Sequence, residues 1–126
     1  MNILLDTHML IWALEDNLRL SKESRELIIN PDNLVFVSAA SVWEISIKKS
    51  LGKLQTPDNL IDEITSHRFD LLAIYAHHSE AVISLPEIHK DPFDRMLIAQ
   101  ANYEHFHFIT ADEMLLKYPC KIIFNP

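Results

Sequence analysis

The stretch HKDPFDRMLIAQA, residues 89–101, decides how the rest of this chain is read. Asp91 suits the N-cap of a helix and Pro92 its first turn, so a helix is predicted from Pro92 to His105. Asp94 then creates a problem. Leu97, Ile98 and Ala101 follow it at three, four and seven residues, which places a carboxylate on the face that the helix buries.

The flanking sequence supplies a setting for that helix. Apolar runs rich in β-branched residues fall at Ile3–Leu5, Leu34–Val37, Leu71–Tyr75, His107–Ile109 and Lys121–Phe124. Helical patterns fill the intervals at Thr7–Leu14, Ser21–Ile29, Ala39–Leu51, Pro57–His67 and His77–Leu85, and then at Pro92–His105 and Asp112–Lys117. Alternation of this kind predicts an α/β fold, a central parallel sheet of about five strands with helices on both faces. Gly52 is read as a helix stop and Thr56-Pro57 as the start of the next helix.

At 126 residues, with no internal repeat or linker, the chain is expected to form one domain spanning 1–126. One glycine cannot build a Walker loop or a dinucleotide fingerprint. A lone cysteine, Cys120, excludes an internal disulfide framework and is expected to be a buried thiol. Met1 leads straight into NILLD without a basic n-region, and no apolar run approaches the length of a membrane span, so a cytoplasmic protein is expected. A formal charge of −7 argues against a simple electrostatic nucleic-acid binder, but leaves room for a protein that meets phosphates through bound metal ions.

Three further acids share the oddity of Asp94. In open parallel sheets, ligands gather beyond the carboxyl ends of strands where the strand order reverses. Asp6 ends the first strand and Asp112 follows the fourth. In a doubly wound order, taken here as a premise, the two flank that crevice. In SAASVWEISIKKSLGKL, residues 38–54, the apolar face is read as Ala40, Trp43, Ile47 and Leu51, and Glu44 lies roughly 40° from Ala40. Charged carboxylates aimed inward need protons, bases or a metal. Lys48 and Arg95 are read as pointing elsewhere, which leaves a hard divalent cation as the simplest partner. Each acid alone also has a plain structural reading. Asp6 and Asp112 suit helix caps, Asp94 the first turn of a capped helix, and Glu44 a solvent-facing position if the helix phase is shifted. Four acids that converge are not explained by capping.

LLDTHMLIWAL, SAASVWEISIKKSLGKL, DPFDRMLIAQA and ITAD, in that order along the chain, resemble the successive motifs of PIN-domain ribonucleases, above all the VapC-type toxins of VapBC toxin–antitoxin pairs. The resemblance implies a PIN-like fold and Mg²⁺- or Mn²⁺-dependent endonucleolytic hydrolysis of RNA, leaving a 5′-phosphate and a 3′-hydroxyl. It implies a catalytic metal site at Asp6, Glu44, Asp94 and Asp112, with Asp6 and Asp94 as the first direct ligands. Thr110 corresponds to the family's hydroxyl beside the last acid, a contact for a metal water or a phosphate. Asp91 is assigned to the cap first and to support of the site second. The implied partners are an RNA substrate, a cognate antitoxin and a second copy of the chain in a homodimer, with no membrane. In such a site the metal polarises the scissile phosphate and acidifies the attacking water.

Among the remaining residues, His8, Lys48 and Arg95 are possible RNA contacts, together with Lys49 and Lys53. Trp12 and Trp43 are read as core, and of the seven histidines only His8 is placed near the site. The competing reading is a catalytically inactive PIN-like module that binds RNA or protein. A phosphatase of the haloacid-dehalogenase type needs an Asp where His8 stands, and a phospho-receiver domain needs a late-strand lysine that is not found.

Overall fold

The computed structural model describes the whole chain, Met1–Pro126. The chain runs β1 (Asn2–Leu5), α1 (Thr7–Glu15), α2 (Lys22–Ile29), β2 (Leu34–Ser38), α3 (Ala39–Ser50), α4 (Leu60–Ser66), β3 (Asp70–Leu72), α5 (Ala76–Ala81), α6 (Pro92–Glu104), β4 (His107–Thr110) and β5 (Ile122–Phe124). Short 3₁₀ turns at Val82–Ser84 and Glu113–Lys117 complete it. All strands pair in parallel in the order β3-β2-β1-β4-β5. The chain therefore winds outward from β1 through β2 to β3, then returns to the other side of β1 with β4. This is the α/β parallel sheet read from the apolar runs, and its order reverses beside β1, as the doubly wound premise required.

Strand alternation divides the core between the two faces of the sheet. Ile3 and Leu5 of β1 and Ile109 of β4 join Met9, Leu10, Ile45 and Ile64 in one buried cluster. Leu4 and Phe108 point the other way, against Leu97, Ile98 and Ala101 of α6. Because both faces are covered, the central strands read as continuous apolar runs.

Several boundaries differ from the sequence reading. The run Leu71–Tyr75 yields only a short edge strand, Asp70–Leu72, because a single neighbour, β2, pairs with it. The helix predicted from Pro57 begins at Leu60, and that predicted at His77–Leu85 tightens into a 3₁₀ turn after Ala81. Trp43 is not core: it is 60% exposed and packs edge-on against Phe93, while Leu51 is also exposed. The buried face of α3 is Ala40, Ser41, Glu44 and Ile45, which is rotated from the predicted stripe. Small and polar residues can face inward there, so hydrophobicity alone misjudged the phase. Cys120 is half-buried rather than buried, and loss of hydration raises its thiol pKa to about 11.

Gly52 ends α3 as expected. Its φ of 70° is the left-handed conformation that glycine takes without strain. The Gly52 amide donates to Lys49 O at 3.0 Å and the Lys53 amide to Lys48 O at 2.9 Å, the paired bonds of a Schellman stop.

Candidate functional site

At the carboxyl ends of β1 and β4 lies a crevice of about 400 Å³, lined by Asp6, Glu44, Asp91, Asp94 and Asp112 together with His8, Lys48 and Arg19. The acids arrive from four segments: the end of β1, α3, the start of α6 and the turn after β4. Asp6 ends β1 and caps α1, its Oδ1 accepting from the Thr7 amide at 2.7 Å. Its Oδ2 accepts from Thr110 Oγ at 2.6 Å. The same hydroxyl accepts from the Asp112 amide at 3.1 Å. Thr110 is fully buried, so its hydroxyl is committed to this bridge between the first and last acids.

Glu44 reaches the crevice because of the polar residues that precede it, at the cap and in the first turn of α3. Ser41 Oγ meets Thr7 Oγ at 2.9 Å, which holds α3 against α1. Ser38 caps α3 by accepting from the Ala40 amide at 2.9 Å, and donates its hydroxyl proton to Gln100 Oε1 of α6 at 2.5 Å. The helices bearing Glu44 and Asp94 are thereby tied together through buried polar groups. Asp91 caps α6, its Oδ1 accepting from the Phe93 amide at 2.8 Å and the Asp94 amide at 3.2 Å. Asp112 caps the following 3₁₀ turn, its Oδ1 accepting from the Met114 amide at 2.9 Å. Capping and convergence on one crevice therefore coexist in Asp6, Asp91 and Asp112.

The electrostatics are those of crowded anions. Burial, followed by the charges of Asp6, Asp91, Glu44 and Asp112, pushes the Asp94 carboxyl up to about 8. Burial also raises Asp6, against the lowering effects of its Thr110 and Thr7 hydrogen bonds. One cation pairs directly with these acids. Lys48 Nζ stands 2.9 Å from Glu44 Oε2, which corrects the reading that it points away. One helical turn separates the two residues, and the long lysine stem curls back over that turn. Lys48 pKa is raised, first by its hydrogen bond to Glu44. Arg95 does point elsewhere. Its guanidinium donates to Pro86 O at 2.8 Å and to the Tyr118 hydroxyl at 3.2 Å, and it does not line the crevice.

These residues fit a divalent cation. Glu44 Oε1 is buried without any hydrogen-bond partner, an arrangement that costs free energy unless a ligand completes it. All the donors are hard carboxylate oxygens, the set that Mg²⁺ and Mn²⁺ take.

The sequence reading missed two residues close to the acids, His89 beside Asp94 and Asp112 and Arg19 in the crevice lining. His89, in the loop before α6, brings Nε2 to 3.6 Å from Asp94 Oδ2 and 3.8 Å from Asp112 Oδ2, so His8 is not the only histidine at the site. Irregular loops carry no periodicity to aim a side chain, and only the position two residues before the Asp91 cap hinted at His89. Arg19 is brought to the rim by a loop whose carbonyl accepts from Asn125 Nδ2 at 3.0 Å.

A second group, His77, His78 and Glu104, holds ligand-type atoms within 4.8 Å of one another. His78 Nδ1 accepts from the Tyr75 amide at 3.1 Å, which leaves the ring proton on Nε2, 3.2 Å from Glu104 Oε2. That ring is engaged in a hydrogen bond rather than open to a metal. A further crevice of about 400 Å³, around Leu20, Ile28, Val35 and Phe69, contains no acid.

The PIN domain family model matches residues 3–120. Among solved structures, VapBC2 from Rickettsia felis, bound to a DNA fragment from its promoter, superposes with a TM-score of 0.72 at 14% identity, over 98% of this chain and 97% of that one. DNA-bound VapBC from Salmonella typhimurium gives 0.72 at 15% identity, over 100% and 99%. A toxin–antitoxin complex from Klebsiella pneumoniae gives 0.68 at 19% identity, over 98% of both chains. No curated protein matches in sequence. The family model runs from β1 through the 3₁₀ turn after Asp112, nearly the whole length of the fold; the chain belongs to the PIN domain family.

Proposed function

We propose that this chain is a metal-dependent endoribonuclease and the toxin of a toxin–antitoxin pair, acting as one domain over residues 1–126. The observation that carries the reading is the meeting of Asp6, Glu44, Asp94 and Asp112 in one crevice, with a buried Glu44 oxygen left unpartnered. Those four acids are the residues assigned to hold Mg²⁺ or Mn²⁺, which when bound supplies Lewis acidity to the scissile phosphate and to water. Asp91 holds the start of α6, and with it the Asp94 backbone, in place. Lys48, Arg19 and His8 border the same crevice and offer donors to phosphate oxygens flanking the cleaved bond.

The toxin assignment draws on the structural relatives, which are toxin–antitoxin complexes. On this reading the partners are an antitoxin and a second copy of the chain, the substrate is RNA, and the compartment is the cytoplasm. No helix is long and apolar enough to cross a membrane.

The test is cleavage of a mixed cellular RNA pool by purified protein with Mg²⁺, with Mn²⁺ and with a chelator, alongside Asp6→Asn. Metal-dependent scission by the wild type and none by the variant is expected. Calorimetric binding of neither metal would turn the reading toward an inactive binding module. Expression in a bacterial host is expected to arrest growth, and identical growth of wild-type and Asp6→Asn strains would remove the toxin assignment.

A further inference from the structure

The loop between the 3₁₀ turn at Val82–Ser84 and α6 holds His89 by its backbone. Its amide donates to the Tyr118 hydroxyl at 2.9 Å, and that hydroxyl donates to His89 O at 3.3 Å. Arg95 Nη1 donates to the same hydroxyl at 3.2 Å. The side chain is 25% exposed and its ring is oriented from one end, where Nδ1 accepts from the Asp91 amide at 3.0 Å. A ring nitrogen that accepts an amide proton carries none itself, so the proton of the neutral ring lies on Nε2. Nε2 is then a donor and not a metal ligand. It faces Asp94 Oδ2 at 3.6 Å and Asp112 Oδ2 at 3.8 Å, while Asp112 Oδ1 is already engaged by Met114.

We propose that His89 is a positioning residue of the acidic site: its Nε2–H, shared between Asp94 and Asp112, holds the two carboxylates at a spacing suited to one cation. The inference rests on the reading of the crevice as a divalent-cation site. Asp94 begins α6 and Asp112 follows β4, so no shared element fixes the distance between them. When both are ionised, as cation binding requires, their charges repel, and a donor placed between them offsets that repulsion without competing for the cation. The two separations exceed hydrogen-bond length. At these separations Nε2–H acts on both carboxylates as the positive end of a dipole rather than through a formed hydrogen bond. Donors behind metal-ligating groups orient those groups, and their loss typically lowers metal affinity about 10–100-fold.

The experiment is calorimetric titration with Mn²⁺ of wild type, His89→Ala, His89→Gln and Tyr118→Phe, each with a metal-free melting temperature. His89→Ala is expected to bind Mn²⁺ about 10–100-fold more weakly, with little change in metal-free melting. His89→Gln, whose amide offers a donor of similar reach, is expected to recover an affinity nearer wild type than alanine. Tyr118→Phe leaves the ring intact but frees its backbone, and an intermediate loss is expected. Nitrogen-15 spectra of the histidine rings are expected to show the Nε2–H tautomer of His89 both without metal and with Mg²⁺. Unchanged affinity in His89→Ala, equal losses in the alanine and glutamine variants, or deprotonation of Nε2 on Mg²⁺ binding would each overturn the role of His89. Absence of Mn²⁺ binding by the wild type would instead overturn the cation site itself, and this role with it.

Discussion

At Asp94 burial and charge crowding act together on one residue, and their effect on stability has a definite sign. Its carboxyl is raised from 3.8 to about 8 in the fold, so between those pH values folding takes up a proton that the unfolded chain lacks. The stability it contributes is full below about pH 4 and is lost as the pH climbs to about 8. The metal-free protein is therefore expected to melt at lower temperature at pH 8 than at pH 5.5. Asp94→Asn is expected to flatten that slope and to be more stable at pH 8 by on the order of 2–5 kcal/mol. Parallel melting curves for the two proteins in chelator would contradict this. Lys48 gives a second case. It occupies Glu44 Oε2, a carboxylate oxygen of the acidic set, so Lys48→Met is expected to tighten Mn²⁺ binding by a factor on the order of five, the worth of a pair with one exposed partner. Weaker binding would show that the lysine assists the ion. At this scale the sequence singled out Asp6, Glu44, Asp94 and Asp112 as acids at strand ends or on inward helix faces, and the fold brings the four into one crevice. Lys48 was misjudged because its Cβ direction says little about where a four-carbon stem ends. His89 lay in a loop, where spacing carries no directional information.

The helix from Pro92 to Glu104 shows how one element serves stability and site together. Asp91 accepts from two amides at the start of α6, and asparagine caps about as well as aspartate. Asp91→Asn is expected to melt within a degree or two of wild type, while Asp91→Ala loses about 1 kcal/mol, a fall of a few degrees. Cleavage activity is expected to follow the cap: retained in large part by the asparagine variant and reduced in the alanine variant, where the first turn carrying Asp94 frays. Equal melting of both variants would remove the capping role. The element was legible because its proline, cap and apolar spacing agree. α3 was legible in extent but not in phase, since Trp43 lies exposed against Phe93 while Ser41 faces inward to bond Thr7. β3 and the 3₁₀ turns were the least legible. They are too short for a periodic pattern, and their bounds are set by neighbours distant in sequence.

Across the whole molecule, the crevice joins segments from β1 to the turn after β4, so occupying it should act on global stability. Asp6 follows the strand at the centre of the sheet order, Asp112 follows its neighbour, and Glu44 and Asp94 sit on helices linked by the buried Ser38–Gln100 bond. A cation bound to all four would be absent from the unfolded chain, where those residues are far apart, and would stabilise the fold by mass action, about 2.7 kcal/mol at a hundredfold excess over its dissociation constant. For a chain of this size that corresponds to a rise in melting temperature on the order of 5–15 °C. The rise should saturate with Mg²⁺ or Mn²⁺ and be small with K⁺ at equal ionic strength. Asp6→Asn should largely abolish it, though this variant is itself expected to melt higher than wild type in chelator because a crowded charge has been removed. The two signs together separate a binding site from general screening of a chain with a charge of −7, which any salt would relieve in both proteins alike. Melting curves of wild type and Asp6→Asn across the three cations decide between them, and equal shifts in both proteins would dismiss the shared ion.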